Sequence, residues 1–437
     1  MIRARIRRIF EGNGFIRSVG TLVSASVVGQ AILLAVLPLV TRLYDPTDFG
    51  LFAVFVAVLS LTLVASSLRY ELAIPLPRGD GNAFALLMLA LLLNGAVAVV
   101  AAAVVLPWGA GLAAALNSPG LDAVLWLLPF SILGAGTYRA LRLWAVRHHD
   151  FSGLARTSIA QALANAASQV GCGLLGLGGA GLAISHALGQ TAGAGRLARG
   201  MGSRFRSTGR RQGARMRHLA ARYSRFPKFD VAAAFVDTLS VQLPNLLLAA
   251  LFSPSVAGHY LLAERILGTP LGLLSQSIGQ VLYARSREAV AEGRMAAMAT
   301  RVLLGLCALA VPPVAVIFFA GEALFALVFG EAWRTAGLFA GWLAIGLGGQ
   351  FLFSSLSLVL MATNAQHINL VLHLGMLAAK GAALLYGYLS GDALSAIIAF
   401  ALVNLFGYLG ATAVVIRHAR SHDLPAAARR QGEHAKS

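Results

Sequence analysis

The chain has 437 residues, of which 58% are hydrophobic and only 12% are charged, and its mean hydropathy is +0.74. A soluble globular domain carries about 25% charged residues, so this composition excludes a soluble enzyme, a disordered tail and a secreted module. The formal net charge of +18 predicts positively charged cytoplasmic loops rather than a nucleic-acid partner. Both cysteines lie in apolar stretches, and we expect from them neither a disulfide nor a metal site. The sequence predicts an all-α polytopic membrane protein.

The chain begins with arginines and isoleucines at helical spacing, and residues 1–17 predict a basic amphipathic helix on the cytoplasmic leaflet. Turn residues such as Asp45-Pro46 and Ser253-Pro254 then divide the apolar sequence. The weakest division is the glycine cluster at 176–181, where one long kinked helix is the alternative. Hydropathy predicts twelve transmembrane spans, at 18–40, 49–74, 82–106, 121–146, 154–176, 178–196, 227–251, 257–284, 295–320, 335–361, 367–388 and 392–416.

A run of basic residues separates the first six spans from the last six. With the N-terminus in the cytoplasm, nearly all loop arginines fall on the cytoplasmic side, as the positive-inside rule requires. We expect an N-lobe of residues 18–196, a basic cytoplasmic linker of residues 197–226, a C-lobe of residues 227–416 and a cytoplasmic tail of residues 417–437. The linker arginines should contact anionic lipid headgroups, and we expect no nucleic acid.

Charged residues inside the spans are the first candidates for function, because hydrocarbon makes them costly. Lys380 lies near the middle of its span and either faces a cavity or pairs with an acid. Asp237 and Glu264 are candidates for proton or sodium coupling, with a salt bridge as the alternative. Arginines near span ends snorkel by default, yet together the cations predict a cavity for a phosphate-bearing substrate. Its candidate residues are Arg69, Arg139, Arg142, Arg265 and Lys380.

Uncharged polar residues form stripes along several predicted spans. Such stripes suit sugar hydroxyls, but they serve equally well as hydrogen bonds between helices. The candidates for a polar cavity lining are Gln161, Asn165, Gln169, Gln276 and Gln350. The sequence contains no nucleotide-binding loop, metal-binding motif or plausible nucleophile–base pair, and we expect a transporter rather than an enzyme. We expect no cofactor, so an ion gradient, the membrane potential or the substrate gradient would drive transport.

Two segments near the N-terminus resemble a known family. The run 40–52, VTRLYDPTDFGLF, is similar to the T-R-x-Y-x-P-x-x-F-G signature of bacterial oligosaccharide flippases. The run 67–75, SLRYELAIP, is similar to a common variant of their second helix. This family belongs to the multidrug/oligosaccharidyl-lipid/polysaccharide exporter superfamily, and the motif similarity covers about residues 18–90.

The resemblance implies two pseudo-twofold six-helix lobes that form a V-shaped exporter fold in the bacterial inner membrane. It implies translocation of undecaprenyl-pyrophosphate-linked oligosaccharide to the outer leaflet, for lipopolysaccharide or exopolysaccharide biosynthesis. A polymerase and a chain-length regulator of the same pathway are expected partners. Family members bind pyrophosphate and sugar through cations on helices one, two and eight. By position these match Arg42, Arg69 and Arg265, the last by span order only.

Three other functions stay open as alternatives. An ion-coupled drug antiporter of the same superfamily would favour acids over arginines in its N-lobe cavity. A peptidoglycan-precursor flippase usually carries further helices after the twelfth. A membrane polysaccharide polymerase or ligase would need a sizeable outer loop with catalytic residues, whereas the predicted outer loops are short.

Overall fold

The computed structural model describes residues 13–205, 212–357, 360 and 366–434. Within these ranges the chain is helical and contains no strand. Its twelve long helices are α1 Asn13–Leu43, α2 Pro46–Ala65, α3 Asp80–Ala115, α4 Leu128–Arg147, α5 Phe151–Leu174, α6 Gly178–Phe205, α7 Val231–Leu251, α8 Pro254–Ala291, α9 Met295–Phe329, α10 Arg334–Leu356, α11 Gln366–Leu389 and α12 Ala393–His434.

The twelve long helices coincide one for one with the twelve predicted spans, which confirms the all-α polytopic fold. By length and apolar composition alone, seven segments of the described chain are able to cross a membrane. These lie in α1, α2, α3, α7, α9, α10 and α12. Several of the remaining helices carry the polar and basic side chains that lower mean hydropathy, such as Arg139 and Arg142 on α4 and the glutamines of α5.

The predicted turn residues end and begin helices as expected. Asp45 caps α2, because its carboxylate accepts the backbone N–H of Asp48 while Asp48 accepts the N–H of Asp45. Gly176 and Gly178 have φ angles of 68° and 51°, in the left-handed region that glycine adopts at little cost. The chain therefore turns between α5 and α6, and the alternative of one long kinked helix is wrong.

Several predicted boundaries require correction. The second span was expected to continue to residue 74, but α2 ends at Ala65 and a turn leads into a 3-10 helix, Tyr70–Ala73. The fourth span begins instead with a separate short helix, Asp122–Leu125. Helices α6 and α12 continue well beyond their apolar segments, because alanine, arginine and glutamine are strong helix formers in water. The predicted basic N-terminal segment lies largely outside the described residues, and only 13–17 are seen, at the start of α1.

Contacts divide the chain into two compact units, residues 1–258 and 259–437. In the first unit, α5 packs on α1 and α6, α4 packs on α3 and α6, and α2 packs on α6 and α7. In the second unit, α10 packs on α9 and α12, and α12 also packs on α11. The sequence places the division at the basic linker, whereas the contact boundary lies at 258 because α7 packs on α2.

The first unit has a large buried core between α3 and α4. Phe84 and Trp144 meet there edge to face, with ring centroids 6.0 Å apart. A short helix of the basic linker, Gln212–Arg222, also packs on α3, with Leu219 buried in the same core. This linker helix is thus anchored to the first unit by apolar contacts, although its arginines Arg215, Arg217 and Arg222 are exposed.

Candidate functional site

The turn after α2 has an unusual backbone that presents a cation. Leu68 and Arg69 have φ angles of 50° and 63°, which side chains other than glycine rarely adopt. Each such residue costs about 1–3 kcal/mol, so the surrounding structure must impose the turn. Ser67 Oγ donates a hydrogen bond to the buried carboxylate of Glu71, which closes the turn. Strain of this kind is concentrated at functional sites.

Arg69 lines a cavity of about 890 Å³ within the first unit, which we call the arginine cavity. Arg139 and Arg142 of α4 line it as well, so three of the six predicted substrate-binding cations share one space. Three carboxylates balance them, and one belongs to Asp237, a predicted coupling residue. The charged and polar lining consists of Arg69, Arg139, Arg142, Glu71, Asp230, Asp237, Ser60, Thr238 and Gln242.

The arginines of this cavity form no close ion pair with its acids in the described chain. Among the described residues, no ion pair within 4.0 Å involves Arg69, Arg139 or Arg142. Arg139 donates a hydrogen bond of 3.3 Å to the carbonyl of Leu63, in the last turn of α2, where a cation complements the helix dipole. The Nε of Arg69 is buried and has no hydrogen-bond partner in the described chain. A buried donor without a partner calls for an explanation, and a bound anion supplies one.

Sequence reasoning missed part of this lining. Glu71, Ser60, Thr238 and Gln242 were not singled out, yet Gln242 Nε2 donates a hydrogen bond of 3.2 Å to Ser60 Oγ across the α7–α2 contact. The sequence did contain a pattern that groups the α7 residues of this lining. Residues 230, 234, 237, 238 and 241 are spaced so that they share one face of the helix. Only the packing of α7 on α2 shows that this face meets the arginines.

A second cavity, of about 590 Å³, lies within the second unit and is called the amide cavity. Gln276 and Gln350, both predicted as polar lining, meet there with Glu264, the other predicted coupling residue. The polar residues of α8 form one wall of the amide cavity, and residues of α10 form the other. The polar lining consists of Glu264, Ser275, Gln276, Gln280, Gln350 and Ser354.

The other predicted cations lie elsewhere. Arg42 is exposed in the last turn of α1 and lines neither cavity. Arg265 is half-buried beside Glu264 but is not part of the amide cavity lining. Lys380 is buried, donates a hydrogen bond of 3.2 Å to Tyr408 Oη, and lies 5.9 Å from the ring centre of Phe400. Roles for these three in substrate binding stay predictions.

The polar stripe of α5 faces another helix. Gln169 is buried and donates a hydrogen bond of 3.0 Å to Asn165 Oδ1. Asn165 and Gln161 pack against Gly189 and Gly193 of α6, where any larger side chain would overlap them. None of these three polar residues lines the arginine or the amide cavity. Of the two functions open for this stripe, the contacts favour packing between helices.

The signature residues at the start of α2 also have packing roles. Tyr44 Oη donates a hydrogen bond of 2.7 Å to the carbonyl of Gln169 on α5. Asp48 Oδ1 accepts the backbone N–H of Gly179, at the start of α6, at 2.6 Å. The motif therefore ties α1 and α2 to two neighbouring helices, and the described contacts of Tyr44 and Asp48 are structural rather than cavity-lining.

Taken together, the many long apolar helices define a multi-pass membrane protein, and two polar cavities lie among these helices. Residues 39–337 match the sequence profile of a family described as polysaccharide biosynthesis protein. That match covers well over half of the chain, and the protein therefore belongs to this family. A search of curated protein sequences found no match.

Solved structures show the same fold. The chain is similar to the lipid II flippase MurJ in an inward closed conformation, with a TM-score of 0.70 and 12% identity over 93% of this chain and 90% of that one. It is also similar to an inward-facing multidrug resistance MATE family transporter of the MOP superfamily, with a TM-score of 0.62 and 13% identity over 92% and 95%. These likenesses confirm the exporter fold predicted from the sequence.

Proposed function

We propose that this protein translocates undecaprenyl-pyrophosphate-linked oligosaccharide across the bacterial inner membrane by alternating access. Both termini would lie in the cytoplasm, and the product would feed lipopolysaccharide or exopolysaccharide assembly. The observation that carries the proposal is the arginine cavity, where Arg69, Arg139 and Arg142 meet without ion-pair partners among the described residues. Membership of a polysaccharide biosynthesis family supports the same substrate class.

The arginines would bind the pyrophosphate. A guanidinium presents several N–H donors in a fixed plane and matches the oxygens of a phosphate better than a lysine does. In the arginine cavity, the free Nε of Arg69 and the exposed guanidinium of Arg142 are available, while Arg139 is held by Leu63. The three nearby carboxylates would keep the empty cavity close to neutral and weaken product binding enough for release.

The amide cavity would bind the sugars. Glutamine and serine side chains both donate and accept hydrogen bonds, as vicinal hydroxyls require. Apart from Glu264 the cavity lining carries no charge, which suits a neutral glycan better than a phosphate or a cationic drug.

Asp237 is our candidate for coupling to a proton or sodium gradient. Its side chain is exposed to the arginine cavity, and no ion pair involves it in the described chain. Glu264 would play the same part in the amide cavity. Asp237→Asn should abolish the response of transport to an imposed gradient, whereas transport that still follows the gradient would exclude this residue.

The test is deletion of the gene in its host, followed by complementation. Loss of surface polysaccharide, with single lipid-linked repeat units retained on the cytoplasmic leaflet, is the expected result. Wild type should restore the polymer, and the triple variant Arg69→Gln, Arg139→Gln, Arg142→Gln should not. A variant with the same charge change at exposed Arg217, Arg222 and Arg225 of the linker is the control.

Other outcomes would reject the proposal and identify an alternative. Normal polysaccharide with altered drug sensitivity would indicate an antiporter. Repeat units accumulated on the outer leaflet would indicate a polymerase or ligase. Arrest of cell-wall synthesis with intact surface polysaccharide would indicate a peptidoglycan-precursor flippase. A pull-down that recovers a polymerase or a chain-length regulator would support the proposed pathway.

A further inference from the structure

The first unit contains another cavity, of about 460 Å³, which we call the Trp144 cavity. It lies where the end of α4, the start of α5 and the later part of α6 meet. It shares no lining residue with the arginine cavity, because the two use different faces of α4. Its lining consists of Leu141, Trp144, Ala145, His148, Asp150, Gly153, Arg156, Thr157, Arg196, Leu197 and Arg199.

Basic side chains dominate the mouth of this cavity. Arg156, Arg196 and Arg199 are exposed, and no ion pair involves them in the described residues. The single carboxylate, Asp150, is already engaged, since it accepts the backbone N–H of Gly153 at 2.9 Å and caps α5. The lining thus contains three guanidinium groups and one carboxylate that already accepts a backbone hydrogen bond, so the cavity carries an excess of positive charge.

The floor of the cavity is apolar. Trp144 is buried against Phe84, and Leu141 and Leu197 are buried beside it. His148 stacks on Trp144 with ring centroids 4.6 Å apart, and its Nε2 lies 3.7 Å from the Asp80 carboxylate. A basic rim above an apolar floor matches a ligand that carries a phosphate at one end and a less polar group at the other.

We propose that the Trp144 cavity binds a phosphate-bearing anion, and that its ligand is the headgroup of an anionic phospholipid. The loops that form it lie on the side that the positive-inside rule assigns to the cytoplasm, where anionic lipids attract basic segments. The guanidinium groups of Arg156, Arg196 and Arg199 hold the phosphate, and the glycerol end lies against Trp144. The site does not depend on the proposed transport function.

The experiment is a lipid titration of the purified full chain in detergent, read by native mass spectrometry. The probes are phosphatidylglycerol, phosphatidylcholine and inorganic phosphate. The test variant is Arg156→Gln, Arg196→Gln, Arg199→Gln, and the control is Arg301→Gln, Arg417→Gln, Arg420→Gln, which removes the same charge from exposed positions outside the basic linker. All six side chains are exposed, so both variants should fold.

We expect wild type to retain phosphatidylglycerol in preference to phosphatidylcholine. Retention should weaken by about tenfold in the cavity variant, as loss of charge-assisted hydrogen bonds predicts, and stay near wild type in the control. Displacement of the lipid by inorganic phosphate would support the phosphate site but identify free phosphate as its ligand. Equal weakening in the two variants would overturn the proposal, because total charge would then explain binding.

Discussion

Gly50 and Pro254 face each other where α2 crosses the start of α8, and a Cβ on Gly50 would overlap the carbonyl group of Pro254. A second contact between the same two helices has the same arrangement with the roles exchanged. There, a Cβ on Gly258 of α8 would overlap the carbonyl group of Pro46 on α2. Two glycines thus allow two helix backbones to approach closely. The glycine of the Phe49-Gly50 signature is therefore needed for this crossing.

Gly50→Ala should therefore destabilise the protein. The added methyl group has to push apart two helix backbones, which costs about 1–3 kcal/mol. The thermal unfolding midpoint of the purified protein in detergent would measure the effect. Gly95→Ala on α3 is the matched control, because a Cβ there meets nothing within 4 Å. If the Gly50→Ala protein were as stable as wild type, the two helix backbones could move apart at no cost, which would contradict this prediction.

Substitutions of Arg139 and of Arg142 should differ in their effect on the stability of the protein. Arg142 is exposed in the arginine cavity and has no hydrogen bond among the described residues, so Arg142→Gln should change the free energy of unfolding by less than about 0.5 kcal/mol. Arg139 holds the last turn of α2 through Leu63, and Arg139→Gln should cost about 1 kcal/mol. Thermal unfolding of the two purified variants measures this difference.

Both variants should transport more slowly. Arg142→Gln should be about tenfold slower, since it loses a charge-assisted hydrogen bond to phosphate, and Arg139→Gln should be affected less, since its guanidinium is held by Leu63 and mainly its charge is lost. Restoration of surface polysaccharide in the deletion strain is the readout. Full activity of Arg142→Gln would remove this residue from the proposed pyrophosphate site.

The amide cavity should determine sugar binding. The double variant Gln276→Ala, Gln350→Ala loses hydrogen bonds worth about 1 kcal/mol each, so affinity for lipid-linked oligosaccharide should fall by about tenfold or more. Affinity for undecaprenyl pyrophosphate without sugar should stay unchanged. Equilibrium binding of the two lipids to the detergent-solubilised protein separates the two effects.

Gln190→Ala is the matched control for this double variant, because Gln190 lines neither the arginine nor the amide cavity. A parallel loss of affinity for both lipids would show that the glutamines support the fold rather than the sugars.

The extended end of α12 should stabilise the second unit. The carboxylate of Asp423 accepts the backbone N–H groups of Met295 and Ala296, at 2.9 and 2.8 Å, and so caps α9 from a distant part of the chain. Asp423→Ala should cost about 1 kcal/mol and speed amide hydrogen exchange at the start of α9. Asp122→Ala, at an exposed carboxylate on a loop helix, is the control. Unchanged exchange at Met295 would show that the cap does not hold in solution.

Helix positions were predictable from this sequence because hydrocarbon demands about 20 apolar residues in every span. The turns were equally readable, since Asp45-Pro46 is a typical helix start and the glycines at 176 and 178 adopt positive φ angles that other residues avoid. The end of α2 at Ala65 was missed, because residues 66–74 are apolar enough to continue a span. The hydrogen bonds of Ser67 and Glu71 hold them in a turn instead.

Sequence by itself determined the class of this protein, because its charge, apolar content and signature residues indicate a multi-pass membrane protein of a polysaccharide family. Which polar residues share a cavity was decided by tertiary structure alone. Arg69, Arg142 and Asp237 are far apart in sequence and meet only because α7 packs on α2 beside α4. Gln169 looked equally suited to a cavity, yet its side chain is buried and donates a hydrogen bond to Asn165 of its own helix. Helical periodicity specifies which residues share a face, but the partner of that face depends on packing between distant segments.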